Sequence, residues 1–595
     1  MSDYKAPVKD MLFAINELAN FENVAALPGY EEASPDLVEA IIEGAAQVAN
    51  DIVAPTNWIG DQAGVRVEDG RVIAPEAFRP AYKALVDDGW LGISMAPEYG
   101  GQGLPSLLGI AIEEMLQSAN LAFSLCPLLT QGAIRALEAH ASEELKQVYL
   151  PKLVAGQWAA TMNLTETQAG SDLSVVSCKA VPEDDHFLVS GQKLFITWGD
   201  HDYAENIVHL VLARLPDAPE GVRGISLFLV PKYILDADGN PGEMNDVLPI
   251  SVEHKLGIHA SPTCLMGFGS NKGAVGYLVG EPNKGLAAMF TMMNHARLGV
   301  GLEGLAVSER SYQKAVAYAR DRVQGAAPGK TERGPIIRHP DVRRMLMLMR
   351  ASNEAMRAIA YVTGADLDRH HKGVEAQDRA EAIARVELMT PVIKGWCSEM
   401  SQELTSLGVQ IHGGMGYVEE TGAAQFMRDA RITTIYEGTT GIQATDFVGR
   451  KLLKDSGKAM GMMIAEMRQT QAEALAASDD DLVAIGGALK SGADNLEEAT
   501  RWLFAHFQND INVPYAVAVD MLMLTGYVCG GWQMARAALI SRKHLDAGND
   551  DGGFFQAKLL TSRFYAEHVL PRTQGHLSGV RAGSGSIMAL PEEMF

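Results

Sequence analysis

The spacing of hydrophobic residues changes twice along this chain, and this change constrains its fold class most strongly. To about residue 160 the apolar residues recur three and four positions apart, as on one face of a helix. In "SPDLVEAIIEGAAQVANDIV", Ser34 is the predicted N-cap and Pro35 the first helical residue. Short β-branched and aromatic runs follow, and the helical period returns near residue 286.

The central runs predict a β domain. They read "HFLVSGQKLFIT", "NIVHLVLARL", "GISLFLVPKY" and "AVGYLVG", separated by turns such as "DADGN" at 236–240. Most gaps are too short for crossover helices, which favours antiparallel pairing. After residue 455 comes another helical block, with a helix start predicted at Ser478 and Asp479.

The predicted fold is therefore a multidomain α+β architecture. Its four parts are an N-terminal helical domain, a central antiparallel β-barrel or sandwich, a helical bundle domain and a C-terminal helical extension. The expected boundaries are 1–160, 161–285, 286–455 and 456–595.

Charge and cysteine usage exclude several classes of function. The chain of 595 residues has a net charge of −24 and no run of Lys or Arg, which argues against nucleic acid or an anionic membrane as partner. The start "MSDYKAPVKDMLF" does not look like a secretory signal, and no apolar stretch is long enough to span a bilayer. Five scattered cysteines without a C-x-x-C spacing predict reduced thiols in the cytoplasm and no metal site.

One glycine motif is misleading. "GVGLEG" at 299–304 fits G-x-G-x-x-G, but "MFTMMNHARL" before it is helical in pattern, whereas a dinucleotide-binding loop follows a strand. We interpret the glycines as small residues that let a helix approach its neighbour. "GDHD" at 199–202 is interpreted as a turn between strands and not as a metal site.

Four other stretches indicate ligand binding when taken together. "NLTETQAGSD" at 163–172 offers hydroxyls, amides and a glycine, and "KLFITWG" at 193–199 places an aromatic ring beside a hydroxyl on one strand face. "QIHGGMGY" at 410–417 is a glycine turn with bare N–H groups, suited to phosphate. In "RDARITTIYEGTTGIQ" at 428–443, a lone carboxylate stands between an aromatic ring and a glycine.

With "WLGISMAPEYGGQGLP" and "EHKLGIHASPT", these blocks closely resemble the acyl-CoA dehydrogenase family of flavoproteins over about residues 35–450. The N-terminal "YKAPVKDMLF" and the helices beyond 455 resemble its long subgroup of about 600 residues. The resemblance implies FAD as cofactor and α,β-dehydrogenation of a short acyl-CoA, such as 3-(methylthio)propanoyl-CoA, to a trans-2-enoyl-CoA. It further implies fatty acid metabolism or dimethylsulfoniopropionate catabolism, an electron-transfer flavoprotein as electron acceptor, and, with the extra helices, a homodimer.

The resemblance assigns roles residue by residue. Glu437 would be the catalytic base; without the motif, it could equally be a surface or capping carboxylate. The implied FAD contacts are Leu164, Thr165, Gly170, Ser171, Phe195, Ile196, Thr197, Arg322, Gln324, Gln410, Gly413, Gly414 and Thr439. The implied substrate contacts are Ser171, Asn294, Arg297, Tyr436 and Gly438.

Several alternatives stay open. Phe195 suits core packing as well as a cofactor wall, Arg322 and Gln324 suit a solvated helix, and Arg297 suits helix packing. The segment "YARDRVQG" also lacks the phenylalanine of the family pattern and is one residue shorter. At the level of function, an acyl-CoA oxidase and a catalytically silent member acting as a binding protein are the competing hypotheses.

Overall fold

The computed structural model describes residues 4–595, and its elements follow the expected order of helices, strands and helices. Residues 1–3 begin the segment "MSDYKAPVKDMLF", which was compared above with a secretory signal, and they lie outside the described residues. The chain forms two compact units: the first holds residues 4–6, 43–104 and 115–299, and the second holds 7–42, 105–114 and 300–595. The four-part division at 160, 285 and 455 stays a proposal about boundaries.

The first unit is built on an eight-stranded sheet. Its strands are β1 Trp158–Asn163, β2 Lys179–Glu183, β3 His186–Thr197, β4 Asn206–Arg214, β5 Ile225–Pro231, β6 Val247–Val252, β7 Thr263–Phe268 and β8 Ala274–Val279. The strand order is β6-β7-β3-β8-β5-β4-β1, and β2 pairs with β3 and β4. Pairing is antiparallel as expected, except that β4 is parallel to β1 and touches β2 in parallel.

Strand β3 joins the two halves of this sheet. Its first half pairs with β2 and β8, and its second half pairs with β7. Near the end of β3 the register slips, so that Lys193 pairs with Met266 but Ile196 pairs with Cys264. Two residues of β3, Leu194 and Phe195, therefore face one residue of β7, which is a β-bulge that re-aims the side chains next to it.

Helices cover the first unit's sheet. Its main helices are Thr56–Ala63, Phe78–Asp87, Leu121–His140 and Glu143–Val154, and short strands Arg66–Glu68 and Arg71–Ile73 form a separate hairpin. A hairpin of Tyr233–Leu235 and Pro241–Met244 encloses the predicted turn at 236–240. One core cluster joins Leu137, Leu153 and Trp158 to strands β4 and β5, and a second lies around Val189, Phe228 and Met266. Each cluster removes the apolar side chains that it contains from water.

The second unit is helical. Its helices are Val8–Phe13, Phe21–Ala25, Pro340–Lys372, Ala376–Val392, Ser398–His412, Ala423–Ala430, Thr440–Thr445, Lys458–Leu475, Asp480–His506, Val513–Ala516, Ala518–Asp546, Phe554–His568 and Thr573–Ala582. Helices Pro35–Val48, Ser106–Ala119 and Gly285–Asp321 contain residues of both units. Both predicted helix starts are confirmed, since Ser34 Oγ accepts from the Leu37 N–H at 3.2 Å and Asp479 accepts from Asp481 and Leu482. Nowhere in residues 4–595 does a helix combine the length and the apolar character of a membrane span.

The "GVGLEG" segment lies inside helix Gly285–Asp321, as the helical interpretation predicted. A Cβ on Gly301 would come within 3.0 Å of the Ile393 carbonyl carbon, and one on Gly304 within 2.5 Å of the Cys397 carbonyl oxygen. These glycines therefore let the helix lie directly against the π-helical turn Ile393–Cys397. This close approach positions residues discussed below, Glu303 and Lys394.

A buried ion cluster ties the C-terminal extension into the second unit. Arg357 contacts Glu114 at 2.7 Å and also Asp10, and Lys558 contacts Glu354 at 3.0 Å and again Asp10. Burial alone would raise the pKa of Asp10, but the two cations outweigh it and lower that pKa to about 2. The four helices that carry these residues are thus held by mutually compensated charges.

Candidate active site

The loop that follows β1 is anchored by a buried ion pair. Lys193 Nζ lies 2.8 Å from Glu166 Oε1, and both side chains are almost completely buried. The same ammonium donates to the Leu164 carbonyl oxygen at 3.0 Å, and the Leu194 N–H donates to the Thr165 carbonyl oxygen at 2.8 Å. Three contacts between loop and strand, one to each residue, therefore fix the loop at 164–166.

Glu166 also holds the far end of this loop. Its carboxylate accepts hydrogen bonds from the Ser177 N–H and hydroxyl and from the Cys178 N–H. Burial alone would raise the pKa of Glu166, but Lys193 and the Ser177 hydrogen bonds lower it to about 2. Between the fixed ends, Gly170 and Ser171 are exposed, and a Cβ on Gly170 would meet nothing within 4 Å. The loop thus presents open backbone to a ligand.

The bulge in β3 exposes an aromatic ring. Phe195 is 57% exposed and has a φ angle of +60°, a left-handed conformation that is rare for a bulky residue. Its neighbour Ile196 is buried, while Thr197 is half-buried. Phe195 and Thr197 therefore point away from the core on either side of Ile196, which contradicts core packing for Phe195 and leaves a flat apolar surface beside a hydroxyl.

The two residues expected near the acyl-CoA in the first unit differ in environment. Asn294 is exposed on helix Gly285–Asp321. Arg297 is buried, and its guanidinium carbon lies 5.8 Å from the centre of the Phe290 ring. This stacking favours a packing role for Arg297, and a direct substrate contact for either residue stays a prediction.

In the second unit, Glu437 follows the 3₁₀ turn Arg431–Thr434. It is half-buried and has a φ angle of +54°. Gly438 comes next with a φ angle of +92°, and a Cβ there would lie 2.7 Å from Gln443 Nε2. Two successive left-handed residues turn the chain sharply, and only glycine fits the second position.

Side chains hold this strained turn from inside. Gln443 Nε2 donates to the Glu437 carbonyl oxygen at 2.8 Å, and Lys394 Nζ donates to the Gly438 carbonyl oxygen at 2.5 Å. Thr439 then caps helix Thr440–Thr445, its hydroxyl accepting from the Ile442 N–H at 3.3 Å. The backbone that follows the Glu437 side chain is therefore fixed at two successive carbonyl groups, which gives its carboxylate a rigid support.

Tyr436, next to Glu437, is hydrogen bonded through its hydroxyl to Oε2 of Glu303. Glu303 is fully buried in helix Gly285–Asp321. Burial, and then Glu113 and Glu437, raise the pKa of Glu303, whereas the Tyr436 hydrogen bond and Lys394 lower it, and the net result is a pKa of about 8. The pKa of Tyr436 is also raised, by burial and then by Glu303. Around neutral pH, Glu303 is a neutral acid beside the expected base.

The remaining expected FAD contacts lie on exposed chain of the second unit. Helix Ser398–His412 ends at the 3₁₀ turn Gly413–Tyr417, and a Cβ on Gly413 or Gly414 would meet nothing within 4 Å. Gln410 is exposed in the last turn of that helix. Arg322 and Gln324 are exposed at the start of a hairpin formed by Val323–Ala326 and Arg333–Pro335, not on a helix as the solvated-helix alternative supposed.

These features fit a flavin dinucleotide. An exposed ring with an adjacent hydroxyl suits the flat isoalloxazine, and glycine backbone with no side chain above it suits a pyrophosphate.

The "GDHD" segment at 199–202 has a structural explanation, since Asp200 pairs with Lys232 at 2.5 Å and accepts a hydrogen bond from the Val72 N–H.

Sequence reasoning missed the residues that support the site. These residues hold the expected contact residues or their backbone from the buried side, either directly or through a bonded partner. They are Lys193, Glu166, Lys394, Gln443 and Glu303. A charged residue in a buried segment signals that a partner exists. It does not say which residue the partner is.

Four family models match the chain in order. The acyl-CoA dehydrogenase N-terminal domain matches residues 39–157, the middle domain 161–269 and the C-terminal domain 283–453. A model described as acetyl-CoA dehydrogenase C-terminal like matches residues 463–591. Together the four models cover the N-terminal helices, the sheet and the helices that follow it.

Relatives match over their full length. The chain is 47% identical to 3-methylmercaptopropionyl-CoA dehydrogenase of Ruegeria pomeroyi over 595 residues, covering 98% of the chain and 99% of the relative. It is 33% identical to a butyryl-CoA dehydrogenase of Syntrophomonas wolfei over 612 residues, covering 100% and 99%.

A solved structure agrees on the fold. The crystal structure of Caenorhabditis elegans ACDH-11 in complex with C11-CoA superposes with a TM-score of 0.76 at 20% identity, covering 96% of the chain and 92% of that protein. The family models and the full-length relatives show more than the fold. The chain belongs to the acyl-CoA dehydrogenase family and is an FAD-dependent oxidoreductase of acyl-CoA thioesters.

Proposed function

We propose that Glu437 is the catalytic base and that the preferred substrate is a short acyl-CoA, 3-methylmercaptopropionyl-CoA. The Glu437 carboxylate takes the α-proton of the thioester, and the β-carbon loses a hydride, which leaves the trans-2-enoyl-CoA. Bound FAD supplies the hydride acceptor. The single observation that carries the assignment of the base is that Glu437 stands on a strained, doubly tied turn.

Physical reasoning supports this role for Glu437. A base must hold its carboxylate within hydrogen-bond reach of a weakly acidic proton, so the support must be rigid. The contacts of Lys394 and Gln443 with the flanking carbonyl oxygens provide that rigidity. The left-handed φ of Glu437 is a conformational cost, and these two contacts hold the turn that carries it.

The substrate proposal is supported by the relative named 3-methylmercaptopropionyl-CoA dehydrogenase, at 47% identity over nearly the whole of both chains. The butyryl-CoA dehydrogenase at 33% identity also favours a short acyl group. Met95, Leu107 and Met292 are apolar candidates for the lining of an acyl pocket, but all three are buried and equally suited to the core.

The contact residues are proposed as follows. FAD would be held by Leu164, Thr165, Gly170, Ser171, Phe195, Ile196, Thr197, Arg322, Gln324, Gln410, Gly413, Gly414 and Thr439. The substrate would be contacted by Ser171, Asn294, Arg297, Tyr436 and Gly438. The exposure of Phe195, Gly170 and the Gly413–Gly414 turn supports this set, whereas Ile196 is buried and would act through its backbone.

We further propose an electron-transfer flavoprotein as the electron acceptor, a homodimer as the assembly and the cytoplasm as the location. The family resemblance supports the acceptor. All five cysteines are free and buried, as suits a reducing compartment. An acyl-CoA oxidase would differ in reoxidation: the reduced enzyme would react fast with oxygen and slowly with a flavoprotein or dye.

The test is an acyl-CoA panel assayed with a dye acceptor on purified yellow protein. We expect the methylthio substrate and butyryl-CoA to be oxidised, with the highest kcat/KM for the methylthio substrate. A maximum on long acyl chains would refute the substrate proposal. Glu437→Gln with wild-type turnover would refute the base.

A further inference from the structure

We propose that Glu303 is a positioning residue for the dehydrogenation: its buried carboxyl group, in the neutral form, fixes the Tyr436 ring next to Glu437. The inference rests on the proposed function of Glu437. Glu303 lies on helix Gly285–Asp321, 133 positions from Tyr436 in sequence. It is hydrogen bonded to Tyr436, the neighbour of the proposed base Glu437.

The first argument is geometric. Glu303 lies in the middle of helix Gly285–Asp321, where Gly301 and Gly304 bring that helix onto the Ile393–Cys397 turn. The helix backbone at Glu303 cannot move away without breaking this packing. One carboxyl oxygen, Oε2, bonds the Tyr436 hydroxyl, so the ring of Tyr436 is tied to a fixed point in the second unit.

The second argument is the cost of this arrangement. Glu303 is fully buried, and among residues 4–595 its other oxygen, Oε1, has no hydrogen-bond partner. An incompletely bonded buried carboxyl group costs stability and is tolerated more readily when it is neutral. A leucine would serve mere packing at lower cost, so the polar group at this position has a reason beyond packing, which is the hydrogen bond to the Tyr436 hydroxyl.

The third argument concerns charge. The titratable and charged groups that act on Glu303 are Tyr436, Glu113, Lys394 and Glu437. Two of them are carboxyl groups, and they oppose its ionisation, as does burial. As the pH rises through about 8, Glu303 ionises. The folded protein then carries a second negative charge close to Glu437, and Oε1 of the ionised Glu303 has no hydrogen-bond partner among residues 4–595. The Tyr436 contact is then no longer held by a neutral acid.

This predicts a specific alkaline limb. In the wild-type enzyme kcat should fall as the pH rises through about 8, because ionised Glu303 places a second negative charge close to Glu437 and opposes the negative charge that develops on the thioester as its α-proton leaves. Glu303→Gln keeps a polar group of the same shape that cannot ionise. We expect this variant to retain most of the turnover at neutral pH and to lose that limb.

The experiment measures kcat and KM from pH 6 to 10 for wild type, Glu303→Gln and Glu303→Ala, with Glu420→Gln, an exposed carboxylate, as the matched control. Glu303→Ala should lower kcat about tenfold or more, the scale of a positioning contact, at unchanged FAD content. The control should keep the wild-type profile. An identical alkaline limb in wild type and Glu303→Gln would overturn the proposal.

A second readout does not need turnover. Infrared difference spectra of wild type minus Glu303→Gln should show a protonated carboxyl band at pH 6 that disappears through about pH 8. If Glu303→Gln fails to fold, Tyr436→Phe should shift the same band by removing its hydrogen bond. A missing band at pH 6 would overturn the inference. A band without turnover on any acyl-CoA would instead refute the proposed function alone.

Discussion

The Lys394 ammonium donates a hydrogen bond of 2.5 Å to the carbonyl oxygen of Gly438, the residue that follows Glu437. Lys394 is fully buried on the turn Ile393–Cys397, so a buried cation ends on the backbone of the expected catalytic turn. This contact and the one from Gln443 explain how a carboxylate on two successive left-handed residues is kept in one orientation.

Lys394→Met should therefore reduce catalysis more than folding. The methionine fills a similar volume but leaves the Gly438 carbonyl oxygen without this donor, so the turn that carries Glu437 relaxes. We expect kcat to fall by about 10- to 100-fold, since small displacements of a reacting group are costly. Steady-state kinetics with a dye acceptor measure this. Lys451→Met, which removes an outer pair with Glu387, is the control and should keep kcat unchanged.

Gly438→Ala tests the turn's geometry. A φ of +92° strains any side chain, and the new Cβ would lie 2.7 Å from Gln443 Nε2. We expect the free energy of unfolding to fall by about 1–3 kcal/mol and turnover to fall with it. Gly441→Ala, three residues on in helix Thr440–Thr445, is the control because its nearest neighbour would be at 3.8 Å. Equal stability of the two variants in denaturant would contradict the strain at Gly438.

Lys193→Met should destabilise the loop at 164–171, which we propose to bind the flavin. It leaves Glu166 buried without its cation, and breaking one side of a buried pair costs about 3–5 kcal/mol. We expect weaker FAD retention on dilution, measured by flavin release. Lys83→Met breaks an exposed pair with Asp87 and should cost less than about 1 kcal/mol.

The same pair gives a pH dependence with a definite sign. The pKa of Glu166 is about 2 in the folded protein, below its ordinary value of 4.5, so its stabilising contribution is full above about pH 4.5. That contribution is lost as the pH falls from 4.5 towards 2. The stability difference between wild type and Lys193→Met should therefore shrink in acid and stay constant from pH 6 to 8. A difference that grows in acid would contradict the ion pair.

Local patterns in the sequence predicted the local structure well. The run "HFLVSGQKLFIT" is strand β3 from its first residue to its last, and Ser34 and Asp479 cap the helices they were expected to start. These features depend on side-chain period and on hydrogen bonds within three residues, which a single sequence displays.

Long-range relationships were not predictable in the same way. Lys193 bonds Glu166 27 residues away, Lys394 bonds Gly438 44 residues away, and the parallel pairing of β4 with β1 joins strands separated by two others. The bulge that exposes Phe195 arises from a register slip against β7, not from the composition of β3. The residues expected to bind FAD and substrate lie in local motifs, which a single sequence displays, whereas their supports are set by tertiary packing.

The most direct test of Glu437 as the base is a single-turnover experiment. Wild type, Glu437→Gln and the control Glu420→Gln are mixed anaerobically with 3-methylmercaptopropionyl-CoA, and the bleaching of the flavin absorbance is followed. Loss of a general base should slow bleaching in Glu437→Gln by a factor of about 10²–10⁴ or more, with FAD content and folding intact and the control unaffected. Bleaching of Glu437→Gln at the wild-type rate would contradict the assignment.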